Sequence, residues 1–205
     1  MSSTLNNKED QVQEQILAAA KRLFQVHGLA KVTMDDVAKA IGKGRSSIYY
    51  YYKSKDEIFD AVFAKEINDM ITIVQRAVND ATTAEDKIMA FCVSKLQVQQ
   101  EKQAFFSTLD VGMDADQFSQ FSQTKIKHHD QIIKLETGLL EQIFAFGMQH
   151  GQIKKMTRPE QKQTIFVLLC GLHGIKREVR LLGNYDQMKP IMKTFTNVIM
   201  HGISN

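Results

Sequence analysis

Apolar positions in this chain fall at helical spacing, and no run alternates apolar and polar residues long enough to make a strand. Val37, Ala38 and Ile41 form one small apolar face, and Ile48 and Tyr52, four residues apart, form another. Ile191, Met192, Phe195, Val198 and Ile199 repeat at the same spacing near the end. The stretch 165–182, IFVLLCGLHGIKREVRLL, is apolar on more than one face, which suits a helix packed against its own subunit and against another. With only two prolines, Pro159 and Pro190, the pattern predicts an all-α protein.

The predicted helices have start signals, a capping side chain followed three residues later by an acid or amide. Thr33 with Asp36, Ser54 with Glu57, Thr83 with Asp86, Asp114 with Gln117, Thr157 with Glu160 and Asn184 with Gln187 are such pairs. With breaks near Asp80, Val111 and Gly112, Gly151, and Gly183 and Asn184, the later helices run over about 54–79, 83–102, 114–150, 157–182 and 186–202. The segment 114–150 is expected to split near Thr124, with a short helix before it. Pro159 falls in a first helical turn, where its missing donor costs little.

Residues 33–55, TMDDVAKAIGKGRSSIYYYYKSK, read as two short helices joined by a turn. Gly42 and Gly44 bracket Lys43 and allow the sharp reversal between steeply crossed helices. The second helix is predicted from Arg45 to Tyr52, with Ile48 and Tyr52 inward, Tyr51 at the edge, and Arg45, Ser46, Ser47, Tyr49 and Tyr50 outward. An arginine can fork onto a guanine edge, serine serves base or phosphate, and tyrosine and lysine suit phosphate oxygens. Lys39, Lys43, Arg45, Lys53 and Lys55 lie in a stretch without an acid, whereas the whole chain carries only +3, so the basic character is local. This is a helix-turn-helix signature. Such geometry also occurs where the partner is a protein, so a helical ligand-binding or adaptor protein is the alternative reading.

From about Gln15 to Ile58 the sequence resembles the tetracycline-repressor (TetR) family of bacterial transcriptional regulators. The residues that carry the likeness are Ile16 to Ala20 with Leu23 and Phe24, His27-Gly28, Val32-Thr33, Val37-Ala38, Ala40-Ile41-Gly42, Ile48-Tyr49 and Tyr51 to Lys55. The resemblance implies three DNA-binding helices in front and about six behind. It also implies that Arg45, Ser46, Ser47 and Tyr50 reach bases or the groove, and that Thr33, Tyr49, Tyr51 and Lys55 reach phosphates, with Lys43 beside them in the turn. Three positions depart from the family's pattern: Met34 and Gly44 replace hydroxyl residues, and Tyr52 replaces a phenylalanine.

By the same likeness residues 9–55 are the DNA-binding domain and 56–205 a helical ligand-binding and dimerisation domain. An adaptable apolar pocket is expected there among Met70, Phe91, Phe105, Phe106, Met113, Phe121, Phe144, Met148 and Phe166, taking an apolar or amphipathic effector. The last two helices, about 157–202, are expected to join a homodimer that binds a palindromic double-stranded operator as a repressor. Small residues Cys170, Gly171 and Gly174 allow close helix approach there.

Composition narrows the rest. Charged residues at 24% and hydrophobic ones at 43% suit an ordinary globular protein, and no export signal or membrane span is visible, so a cytoplasmic location is expected. Cys92 and Cys170 read as reduced, buried thiols. None of the six histidines pairs with another His or Cys at metal-binding spacing, and no phosphate loop or nucleophile motif occurs; neither a metal, a cofactor nor an enzymatic activity is expected.

Overall fold

The computed structural model describes residues 2–109 and 112–204, without the side chains of residues 2–8, 99, 104, 106 and 107. The described residues form eight α-helices and no strand. They are α1 (Ser2–His27), α2 (Met34–Ala40), α3 (Arg45–Tyr51), α4 (Lys55–Asp80), α5 (Ala84–Thr108), α6 (Ala115–Gln149), α7 (Arg158–Leu182) and α8 (Met188–Ile203), with a 3-10 turn at Tyr185–Gln187 before α8.

Most starts follow the capping logic. Thr33 and Asp36 form a full capping box, as do Thr157 and Glu160, with Pro159 in the first turn of α7. Ser54 Oγ accepts from the Glu57 N–H at 3.2 Å, Thr83 Oγ1 from that of Asp86 at 3.1 Å, and Asp114 Oδ1 from that of Gln117 at 2.9 Å. Two expectations need correction. Asn184 makes no side-chain cap; the chain turns there through the 3-10 segment and α8 begins at Met188, which leaves Pro190 in a first turn. The split near Thr124 is absent, since 115–149 holds no proline and its only glycines, Gly138 and Gly147, are well past Thr124, so α6 runs unbroken and five α-helices follow the first three rather than six. Gly147 in turn has a packing role: a Cβ there would stand 2.5 Å from Ile153 Cδ1.

The chain gathers into two compact units, one of residues 1–68 with 101–130 and the other of 69–100 with 131–205. In the first unit Ile16, Ala20 and Phe24 of α1, Val37 of α2, Ile48 of α3, Ile58 and Ile67 of α4 and Leu109 are essentially buried. The same unit buries a charged hub. Glu66 of α4, whose side chain is 4% exposed, pairs at 2.6 Å with Lys21 of α1 and at 2.6 Å with Lys102 of α5. Burial alone would raise the Glu66 carboxyl, but the two ammonium groups hold it below the usual carboxylate range. Helix α1 is thereby tied to both α4 and α5.

The second unit has a larger apolar core, with Phe91, Phe144, Ile88, Leu140, Leu168, Leu172 and Met192 fully buried. Burying each such side chain stabilises the fold by about 1.5 to 3 kcal/mol. Within it Lys95 Nζ meets Glu136 Oε2 at 2.6 Å and His173 Nε2 at 2.8 Å. Gly171 of α7 admits the ring of Phe195 of α8, which a Cβ would meet at 2.8 Å, whereas Gly174 faces open space. The expectation of two buried thiols is met at Cys92 and corrected at Cys170, which is exposed.

Candidate nucleic-acid interface

The turn between α2 and α3 depends on Gly42, whose φ of +66° lies in the left-handed region. Gly44 caps α3 with φ −74° and ψ 155°, a conformation open to any residue, and supplies no side-chain bond to the helix N-terminus. Helix α3 ends one residue earlier than expected, with Tyr52 as an extended C-cap. Tyr52 is half-buried, and desolvation raises its phenol above the usual value.

Ile48 is fully buried and anchors α3, which leaves the other face to solvent. Tyr50 is 72% exposed and Tyr49 40%, and the Arg45 side chain is 63% exposed. Lys43 and Ser46 are exposed beside them, with Ser47 and Tyr51 half-buried. Arg45, Tyr49 and Tyr50 therefore share one outward surface with the turn lysine. Helix 45–51 is seven residues long, so this surface is about 10 Å of helix at 1.5 Å per residue and matches the width of a major groove.

These side chains are already oriented by neighbours. Arg45 Nη2 donates to Tyr49 Oη at 3.1 Å, and its guanidinium lies 5.3 Å from the Tyr49 ring centroid. Arg45 Nε also stands 3.4 Å from Asp35 Oδ1 of α2. The Tyr49 bond first, and the Asp35 charge second, raise the Arg45 guanidinium further above its ordinary value, so it remains a cation. Tyr50 Oη donates to Glu9 Oε1 of α1 at 3.1 Å, and that acceptor raises the Tyr50 phenol, which stays protonated. The Tyr51 ring meets that of Tyr50 edge-on at 4.9 Å.

Asp35 and Glu9 were invisible as partners in the sequence, because they lie 10 and 41 residues from the side chains they hold. Two expected phosphate contacts have other partners here. Thr33 Oγ1 donates to Asp36 Oδ2 at 2.7 Å within its capping box. Lys55 Nζ turns toward the loop after α1, donating to the carbonyls of Leu29 at 2.9 Å and Ala30 at 3.3 Å.

The nine residues expected to line an effector pocket separate in the structure. Phe91 and Phe144 are core, Met70 and Phe105 are buried, and Met148 packs against the core of the second unit. Phe166 is 67% exposed, and the side chain of Phe106 lies outside the described residues. Met113 and Phe121 alone of the nine line a cavity of about 630 Å³ within the first unit, between the loop at Leu29 and Ala30, the start of α4 and the first turns of α6. Its wall also includes Lys55, Phe59, Gln120, Gln123, Thr124 and Lys127. A polar helix face gives no sequence signal of this kind, because solvated helix faces look the same.

Among the described residues no group of three or more His, Cys, Asp or Glu side chains could hold a metal, and no helix is long and apolar enough to cross a membrane.

Residues 16–62 match the family model described as "Bacterial regulatory proteins, tetR family". An uncharacterized HTH-type transcriptional regulator of Bacillus subtilis, YhgD, is 25% identical over 85% of this chain and 84% of its own length. A fatty acid metabolism regulator protein of the same organism is 26% identical over 69% of this chain and 70% of its own. Among solved structures, a transcriptional regulator from Cytophaga hutchinsonii superposes with a TM-score of 0.70 at 21% identity, covering 94% of this chain and 98% of that one. The regulator FadR of Bacillus subtilis, solved with stearoyl-CoA, superposes with a TM-score of 0.64 at 16% identity, covering 93% and 98%. The buried Ile48, the outward Arg45, Tyr49 and Tyr50, and the capped α2 all lie within the segment that matches the tetR family of bacterial regulatory proteins.

Proposed function

We propose that this chain is a cytoplasmic homodimeric repressor that holds a palindromic operator through α3 of each subunit and leaves it when a fatty-acyl effector binds. The observation that carries the reading is the outward face of α3, where a preoriented arginine and two tyrosines stand over a fully buried Ile48. Arg45, Ser46, Ser47 and Tyr50 are assigned to bases or groove walls, and Lys43, Tyr49 and Tyr51 to the flanking backbone. Thr33 and Lys55 would contribute by placing α2 and α4 rather than through free side chains.

The dimer reading draws on α7 and α8. Phe166, Val167, Leu181, Leu182 and Val198 are each at least 60% exposed, and large apolar side chains gathered on two neighbouring helices call for a cover. A second copy supplies that cover and sets two α3 helices about 34 to 36 Å apart for successive half-sites. The effector reading draws on the fatty acid metabolism regulator and the stearoyl-CoA complex among the relatives. Release follows if the effector binds the dimer with displaced heads more tightly than the operator-competent one, and by no more than that difference. The protein then acts by binding rather than by catalysis.

A test is operator binding by fluorescence anisotropy with stearoyl-CoA titrated in. Loss of binding in step with effector occupancy supports the reading, and operator affinity indifferent to every acyl compound sinks the effector half of it.

A further inference from the structure

Two acids follow one another in the first turn of α2 and do different things. Asp36 closes the capping box, taking the Thr33 backbone N–H on Oδ2 at 2.9 Å. Asp35 has no part in that cap. It reaches across the crossing of α2 and α3 to Arg45, where its Oδ1 stands 3.4 Å from Nε and its Oδ2 accepts from Nη1 at 3.5 Å. Oδ1 is sealed from solvent and accepts no hydrogen bond among the described residues, so the Arg45 guanidinium is what offsets its charge.

An acid beside a DNA-reading arginine works against binding. Attraction to any duplex comes from cations meeting phosphates, and a carboxylate repels every phosphate within a Debye length, about 10 Å at 0.1 M salt. Helix α2 gains little from it, because Asp36 already places a negative charge at its N-terminus. What Asp35 adds is its hold on Arg45. An arginine has two N–H donors on each terminal nitrogen of its guanidinium. Asp35 takes one on Nη1 and Tyr49 Oη one on Nη2, which leaves a donor on each. Two donors are what the O6 and N7 acceptors of a guanine require. Arg45 can therefore meet a guanine edge with both supports kept, whereas a swing to a backbone phosphate gives up both.

We propose that Asp35 determines specificity: its carboxylate holds the Arg45 guanidinium toward the base edges and away from backbone phosphates, lowering affinity for duplex of any sequence while raising discrimination at one base pair of each half-site. Asp35 is a positioning residue that acts through Arg45, and its role rests on the assignment of Arg45 to a base edge above. Without the carboxylate the guanidinium is free to settle on phosphate, the partner that every sequence offers. With it, a wrong base leaves Arg45 facing no acceptor pair and still held in place.

Asp35→Asn removes the charge, keeps the shape of the side chain and leaves the Thr33 and Asp36 cap intact. Wild type, Asp35→Asn, Arg45→Ala and the double variant, each as the full chain, are compared by selection from a random duplex pool. Anisotropy titrations over a range of salt then use the selected operator, a single-base variant of it and an unrelated duplex. Asp35→Asn is expected to bind the unrelated duplex about threefold more tightly at low salt and to lose that gain as salt rises. Discrimination at the base pair that Arg45→Ala relaxes is expected to fall by about three- to tenfold. In the Arg45→Ala background the same substitution should leave base preference as it was. Unrelated duplex bound no more tightly by Asp35→Asn, an unchanged motif, or relaxation that persists without Arg45 overturns the proposal. If Arg45→Ala relaxes a position and Asp35→Asn does not, this inference alone falls. If Arg45→Ala relaxes none, the base-reading assignment falls and this inference with it.

Discussion

The α3 surface and the cavity belong to the same compact unit, yet they are built in opposite ways. The surface comes from seven consecutive residues whose inward and outward positions are dictated by helical period, with one buried isoleucine setting the register. The cavity comes from segments between residues 29 and 127, most of them solvated before anything binds. A short helix that reads DNA must expose its chemistry next to its anchor, whereas a ligand site can borrow side chains from wherever the fold brings helices together. The first can be recognised in a sequence, and the second requires coordinates.

Substitutions at four positions sharpen that contrast. The largest effect is expected where the unit is held together. Glu66→Ala leaves Lys21 and Lys102 facing each other without their shared carboxylate and should cost about 2 to 4 kcal/mol of stability, nearer the low end because Lys21 is 35% exposed. Chemical unfolding measures it. The same group sets a pH dependence. Since its folded pKa is depressed, its stabilisation is present above the unfolded carboxylate value of about 4.3 and is lost as pH falls through the lower folded value, so the wild type should lose stability faster than Glu66→Gln on acidification.

Arg45→Ala comes next. If the side chain reads a guanine, operator affinity falls by about 1 to 3 kcal/mol and preference relaxes at one base position, with folding stability unaffected. An equal loss on all sequences would make it a backbone contact instead. Lys55→Ala separates the two regions most cleanly, since its ammonium is committed to the Leu29 and Ala30 carbonyls. Stability should fall by about 1 kcal/mol while the salt dependence of DNA binding holds; a slope reduced by about 0.9 would place the ammonium on a phosphate. The smallest change is a gain. A Cβ on Gly44 would meet nothing nearer than Ser46 Oγ at 3.9 Å, so Gly44→Ser should cap α3 and add a few tenths of a kcal/mol to the melting free energy.

Local rules carried the sequence reading a long way. Thr33, Ser54, Thr83, Asp114 and Thr157 cap helices as their spacing to the following acid or amide implied. Asn184 failed because a following 3-10 turn satisfied the backbone without its side chain. The outward face of α3 followed from Ile48, but its acidic neighbours did not: Asp35 reaches Arg45 across the crossing of α2 and α3, and Glu9 reaches Tyr50 from α1, distances that only packing sets. The pocket residues were chosen for being apolar and flexible, and the same property makes Phe91 and Phe144 core. The residues that line the cavity beside Met113 and Phe121, among them Gln120, Gln123 and Thr124, carry no mark in the sequence, since any exposed helix face may hold glutamine and threonine.

The central claim is that α3 of a dimer reads a palindrome. Selection of bound sequences from a random duplex pool at moderate salt, run in parallel with wild type and Arg45→Ala, tests it most directly. An inverted-repeat consensus for the wild type, losing definition at one symmetric position in the variant, is the expected result. Recovery of no motif by the wild type, or of one without inverted-repeat symmetry that is unchanged in Arg45→Ala, would contradict it.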